Sequence, residues 1–234
     1  MWNKIQRIYI GTEQIRPVYK REPWANTIAY YKFVSDVNDY SWNNYNLAWG
    51  GTFSNNMITS TSTLYYNWNS LFWQDYGGDF TVMGRMDYTK SASDSNMYFI
   101  CDKSYRPSLA TNDAGDGWGW SIYKGYSQSG YGWVTTPSSW GHWSVTWIHH
   151  TALVRIWNTF YSYWDWVQAT DTLTMTGYIW AWNSNNEKWP RFASSGWQLT
   201  FRTITLWEVI MENRWWSSTE MLEYFKWTKK MYGL

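Results

Sequence analysis

Cysteine is almost missing from this chain. Cys101 is the single thiol among 234 residues, which rules out an intramolecular disulfide framework and disfavours a structural zinc site built on thiolates. An excess of either charge is missing too. Nineteen Lys and Arg against eighteen Asp and Glu leave a formal net charge of +1. Such a balance offers no electrostatic footprint for nucleic acid and none for an anionic membrane surface. No apolar run is long enough to span a bilayer. The opening stretch MWNKIQRIYIGTEQIRPVYKR is too polar for a secretory signal, so export is expected by another route or by cell lysis. A shortage of disulfides does not exclude an extracellular life. The length suits one domain of the larger all-β kind, with or without a small appendage.

Glycine is outnumbered by tryptophan, 16 to 23. Many of the tryptophans stand beside turn formers: Trp42 in SWNN, Trp49 in AWGG, Trp68 in NWNS, Trp157 in IWNT and Trp182 in AWNS. In YSYWDWVQ (161–168), Tyr161, Tyr163 and Asp165 alternate along a strand before the chain turns. Asp-Gly is the favoured dipeptide for such a hairpin, because both central residues need positive φ. Trp166 stands where that glycine belongs. Two readings compete: an aromatic surface for sugars or lipid headgroups, or a codon rendered as Trp that the source organism reads as glycine, as some reduced-genome bacteria and their phages read UGA.

Short β-rich segments recur between turn clusters. DFTVMGRMDY (79–88) places Phe80, Val82, Gly84, Met86 and Tyr88 on one face and Thr81, Met83, Arg85 and Asp87 on the other, the alternation of a half-buried antiparallel strand. Segments 27–33, 96–103, 119–125, 150–156, 158–165, 176–182 and 199–211 read the same way, while 35–56, 104–118 and 183–198 read as polar or loop-like. One helix is expected near 218–229. Ser217 and Glu220 form a capping box ahead of Met221, Leu222 and Phe225. These elements predict an all-β protein, a two-sheet antiparallel jelly-roll sandwich with a short C-terminal helix.

In this order the segments resemble the laminin-G-like jelly roll of the concanavalin A-like lectin/glucanase superfamily, across roughly residues 27–232. TWIHHTALVRIWNTFYSYWDWVQ (146–168) resembles the family run W-H-H-I-A-L-V-R-x-G-N-T-x-x-L-Y-V-D-G-V-Q, with Trp157 and Trp166 at its glycines. IAYYKFVSDVNDYSWNNYNL (28–47) is similar to the opening strand and loop, with Trp42 at a glycine. YYNWNSLF (65–72) and YIWAWNSNN (178–186) put Trp68 and Trp180 at two more. GDFTVMGRMDY (78–88) resembles the D-F-T-V-S-x-W strand, with Arg85 in place of the usual aromatic, and LWEVIMENRWWSSTE (206–220) resembles the closing strand and helix cap. Trp at family-glycine positions in five separate places favours recoded glycine over an acquired sugar-stacking surface. The chain divides into an N-terminal arm or extra strand at 1–26, similar to leaders of phage tail or virion-associated proteins, and a laminin-G-like domain at 27–234.

Superfamily glucanases carry alternating carboxylates on one strand as nucleophile and acid/base. The nearest run, EVIME (Glu208–Glu212), lacks the intervening Asp and belongs to the closing strand. His149 and His150 are adjacent, so a strand points them to opposite faces and they cannot share a metal. Asp113 and Asp116 lack the rest of an EF-hand set. The resemblance implies a single calcium ion held by loop oxygens, with Asp36, Asn38, Asp39 and Glu208 as its ligands. The expected function is a non-catalytic carbohydrate-binding or adhesion module, extracellular or virion-associated. It would bind a glycan or cell-surface polysaccharide, or other virion or surface proteins, with no nucleic acid and no membrane insertion. Asn183, Asn185, Asn186 and Trp189, with Tyr126 and Tyr131, are its candidate ligand-binding residues. The alternatives are a structural virion or tail assembly module and, ranked lower, a glycoside hydrolase.

Overall fold

The structure is a computed structural model that describes residues 9–10, 13–14, 26–48, 51–60, 64–66, 78–88, 97–101, 108–111, 118–123, 131–135, 145–174, 191–195 and 204–231. Strands are numbered β1 to β17 in chain order. The centre of the first sheet is β8 (Phe80–Tyr88), flanked by β13 (Val145–Ile156) and β17 (Ile204–Glu212), both antiparallel to it. Tight hairpins add β14 (Thr159–Trp164) and β15 (Val167–Thr174) beyond β13. On the other flank β17 pairs β6 (Met57–Ser60) through its first residues and β3 (Thr27–Tyr31) through its last, and β5 (Gly51–Ser54) lies outside β6. The second sheet has the order β12 (Tyr131–Thr135), β11 (Trp118–Tyr123), β10 (Ser108–Thr111), β9 (Met97–Cys101), β16 (Arg191–Ser195), β7 (Leu64–Tyr66), β4 (Leu47–Ala48). Tyr9–Ile10 and Glu13–Gln14, as β1 and β2, pair with each other. The fold is an all-β, two-sheet antiparallel jelly-roll sandwich closed by one helix, α1 (Ser218–Met231).

Alternation along β8 assigns its side chains to two apolar clusters. Phe80, Val82 and Met86 enter the larger one, with Tyr31, Phe160, Leu206, Val209 and, from the second sheet, Leu47. Met83 enters the other, with Tyr30, Ala152, Val154 and Ile210, beneath Trp216, Met221 and Tyr224. A fully buried side chain of this size contributes about 1.5–3 kcal/mol, so both clusters matter to stability. Over Phe80–Met86 the two faces divide as the alternation predicts. The outer face is buried and not half-exposed, residues 81–86 all being buried, because α1 covers it.

The helix begins as its capping box predicts. The Glu220 N–H donates to Ser217 Oγ at 3.2 Å, and the Ser217 N–H donates to Glu220 Oε2 at 2.8 Å. Its buried stripe runs through Met221, Tyr224 and Thr228, not through Leu222 and Phe225, which are partly exposed. The shift of about one position places Tyr224 and Thr228 over two buried charged groups described below.

Hairpin turns carry the tryptophans into strained backbone. Ser54 pairs with Met57 across Asn55 (φ 51°) and Asn56 (φ 59°). Trp164 pairs with Val167 across Asp165 (φ 48°) and Trp166 (φ 68°). Both are type I′ geometry. Ile156 pairs with Thr159 across Trp157 (φ 58°), the position that type II′ hairpins reserve for glycine. Asn and Asp tolerate left-handed backbone through local hydrogen bonds. Tryptophan has no such compensation, and left-handed φ costs a residue with a Cβ roughly 1–2 kcal/mol. Trp42 does not have positive φ, and Trp68 and Trp180 lie outside the described residues.

Several short strands escape a reading of periodicity. β4 and β5 fall in the polar stretch 35–56, β10 in the loop-like 104–118, and β16 in the loop-like 183–198. RFASS and SLAT carry small polar residues without apolar alternation. Their neighbours hold them: β16 pairs with both β9 and β7, and β10 with both β9 and β11. The expected strand at 176–182 lies outside the described residues.

Candidate functional site

The best-defined polar loop follows β3 and is organised by one carboxylate. Asp39 is 6 % exposed. Its Oδ1 accepts the Tyr30 and Ser41 N–H groups, both at 2.8 Å. Its Oδ2 accepts the Ser41 hydroxyl at 2.6 Å and the Tyr45 N–H at 2.9 Å. Asn46 accepts the Asp39 N–H at 2.8 Å, and the Asn43 amide donates to Ile28 O at 2.9 Å. Asp and Asn recur here because short oxygen-bearing side chains satisfy a loop backbone that has left its sheet. Asp36 lies on the solvent side, taking the Asn38 N–H at 3.1 Å and the Tyr40 hydroxyl at 3.0 Å. Burial, then the Asp36 hydrogen bond and charge, push the Tyr40 hydroxyl above its ordinary value. Lys32 holds its ammonium 4.2 Å from the Tyr40 ring centre, and in the same loop Trp42 is 75 % exposed.

Glu208 is elsewhere. It faces the helix side of β17, 2 % exposed, with Oε2 accepting the Tyr224 hydroxyl. A calcium ion needs several oxygens free to turn toward it. Both Asp39 oxygens are already taken by N–H and O–H donors, and Glu208 is sealed beneath α1. Among the described residues, no group of three or more His, Cys, Asp or Glu could hold a metal ion. The four residues Asp36, Asn38, Asp39 and Glu208 thus do not fit a calcium ion as one ligand set.

The EVIME carboxylates belong to the same sealed layer. Glu212 is fully buried, accepting from Trp216 Nε1 at 2.6 Å and Thr27 Oγ1 at 3.2 Å and pairing with Arg214 at 2.9 Å. Neither carboxylate opens onto a cleft where a glycosidic bond could reach it. The histidines split as strand geometry requires. His149 lies 4.8 Å from the Trp164 ring, with Nδ1 2.6 Å from Asp165 Oδ2. His150 is buried on the helix face. It lies in register with Arg85, and Arg85 in register with Glu208. This buried row was missed at the sequence level, although Arg85 at a position where the family has an aromatic was its one signal.

The proposed sugar-binding residues are not brought together on the described surface. Asn183, Asn185, Asn186, Trp189 and Tyr126 lie outside the described residues. Tyr131 opens β12, the terminal strand of its sheet, in register with Tyr123.

Comparison with solved structures places this architecture among known folds. The binding domain of Paraclostridial Mosquitocidal Protein 1 superposes with a TM-score of 0.67 at 14 % identity, covering 86 % of this chain and 52 % of that one. The binding domain of botulinum neurotoxin serotype G superposes at 0.62 and 10 % identity, covering 87 % and 51 %. Trypanosoma rangeli sialidase superposes at 0.59 and 13 % identity, covering 90 % and 34 %. The likeness is one of fold. This chain spans about half the length of the toxin binding domains it matches and a third of the sialidase. No protein-family model matches the sequence, and a search of curated protein sequences returns no match. Among the described residues no helix is long and apolar enough to cross a membrane.

Proposed function

We propose that the chain is a non-catalytic, laminin-G-like binding module that acts outside the cell and recognises a glycan on a cell surface or in a surface polysaccharide. The observation that carries the non-catalytic part is the burial of Glu208 beneath α1 and of Glu212 against Trp216, each held by a hydrogen-bond donor of the protein itself. A glycosidase needs two carboxyl groups flanking the scissile bond, one accepting and one giving a proton. The run that comes nearest to that pattern is structural. The binding part draws support from the fold shared with two toxin binding domains and from the Asn-rich segment 183–186, whose amides offer donors and acceptors to vicinal hydroxyls.

A glycan array probed with the whole chain tests the reading. Retained glycans should be lost on truncating Asn183, Asn185 and Asn186 to Ala together, with the melting curve shifted by no more than about 0.5 kcal/mol, as the polar, loop-like sequence of 183–198 leads one to expect. Binding to no glycan, combined with co-purification through the N-terminal arm around Ile8 and Ile10, would establish the assembly module instead. Release of reducing sugar from laminarin-type polymers would overturn the non-catalytic assignment.

A further inference from the structure

We propose that the cross-strand row His150–Arg85–Glu208 is an acid-responsive latch, in which protonation of His150 releases α1 from the outer face of the first sheet. The row lies across three neighbouring strands, β13, β8 and β17, with Cα partners His150–Arg85 and Arg85–Glu208. All three residues are essentially fully buried, and α1 is fastened through two of them. The Arg85 guanidinium donates to the Phe225 carbonyl at 3.0 Å and to the Thr228 hydroxyl. Glu208 accepts the Tyr224 hydroxyl. Thr228 returns a hydrogen bond to the Tyr224 carbonyl at 2.7 Å. The helix therefore rests on a fixed cation and a fixed anion, with His150 packed beside them.

His150 is the member of the row that can change charge. Its ring nitrogens Nδ1 and Nε2 are buried with no hydrogen-bond partner among the described residues. Protonation would make both of them N–H donors with nothing to accept. The groups facing the ring do not relieve this. From β8 comes the Arg85 guanidinium, a like charge. From α1 come the Tyr224 and Phe225 rings, 6.0 and 6.1 Å away, and beyond them the Lys229 ammonium, 5.9 Å from the Phe225 ring. From β17 comes Glu208, on the far side of Arg85. From the β14–β15 turn comes Asp165, but its Oδ1 takes the His150 backbone N–H at 2.9 Å and its Oδ2 is bound to His149. Burial first, then Arg85, outweigh the attraction of Asp165 and lower the His150 pKa to about 3.

A ring that binds its proton at about 3 when covered, and near its ordinary value of about 6.5 once α1 lifts, favours the lifted state as protons become available. Docking is unaffected above about pH 6.5. It weakens about tenfold for each pH unit below that, down toward pH 3. Release would uncover the apolar face made by Tyr30, Met83, Ala152, Val154 and Ile210.

Hydrogen exchange on the whole chain, followed by NMR and corrected for intrinsic rates, reads the latch directly. Protection of the α1 amides should fall about fifteenfold between pH 6.5 and 5, while that of Leu153 and Val82 in the sheet falls less. His150→Phe, which keeps an aromatic ring and removes the titration, should flatten that response. Should this variant fold poorly, the wild-type histidine titrations suffice. His150 must remain neutral for as long as α1 is protected, and take up its proton as protection is lost. Helix protection that does not change between pH 6.5 and 5 overturns the proposal. So does a His150 ring that titrates near pH 6.5 beneath an intact helix, or a His150→Phe variant that keeps the wild-type response.

Discussion

A tryptophan at φ 58° or 68° strains its own backbone. At position 157 the indole is 83 % exposed, so little packing offsets that strain. The contacts made there are main-chain contacts: the Trp157 N–H donates to Asp79 at 2.7 Å, and its carbonyl accepts Arg155 Nε at 2.7 Å. Glycine would keep both. Trp157→Gly should therefore raise stability by about 1 kcal/mol, read as a higher midpoint in thermal or denaturant unfolding. Position 166 is more balanced. The same relief is opposed by the Trp166 contact with Phe225, whose ring centres are 6.2 Å apart, and an aromatic pair is worth about 0.5–1.5 kcal/mol. Trp166→Gly should gain less than Trp157→Gly. A drop in midpoint at position 157 would show that the tryptophan is a packing residue and would remove the argument for recoded glycine.

At the scale of elements, α1 depends on its first turn. Ser217 and Glu220 satisfy each other's backbone N–H groups, and Arg214 adds a 2.9 Å pair to Glu220. Ser217→Ala should cost about 1 kcal/mol and lower the helical signal in circular dichroism before the β signal. Burial pushes the Glu220 carboxyl up, but the Ser217 and Arg214 contacts outweigh it and hold the group below its ordinary value. A lowered value means that the cap stabilises above the ordinary carboxylate range and weakens as pH falls through the folded value. That loss begins only below the ordinary carboxylate range, so the interval between about pH 6.5 and 5 reads the His150 effect alone. The β14–β15 hairpin was legible for a related reason. Asp165-Trp166 is a short-range turn signal set by φ alone, whereas the Asn55-Asn56 turn lay unread in the polar stretch 35–56.

At the scale of the molecule, the first sheet is covered on both sides, by the second sheet and by α1. The helix covers Tyr30, Met83 and Ile210 and the charged row among them. A chain ending at Asn213 should expose that face, bind a hydrophobic dye and self-associate, because large contiguous apolar patches are rare on soluble monomers. Light scattering and dye fluorescence against the full-length chain are the measurements. A monomeric, dye-silent truncation would mean that the sandwich is stable without its outer layer.

The sequence by itself determined the alternation of β8, the tight turns and the capped start of α1, since each is a contest between a residue and its immediate backbone. Its ordered segments also carried the sandwich class. Tertiary structure decided the rest. β10 and β16 exist because strands distant in sequence pair with them, and no local periodicity encodes a partner. Asp36 and Asp39 looked like ion ligands because Asp is a good oxygen donor, but a carboxylate binds whichever donors the fold brings to it. For Asp39 these are the N–H groups of Tyr30, Ser41 and Tyr45 and the Ser41 hydroxyl. His150, Arg85 and Glu208 are 65 and 123 positions apart in sequence, counted from Arg85 to the other two. Strand register alone makes them one buried row, and the helix above them makes their charge matter.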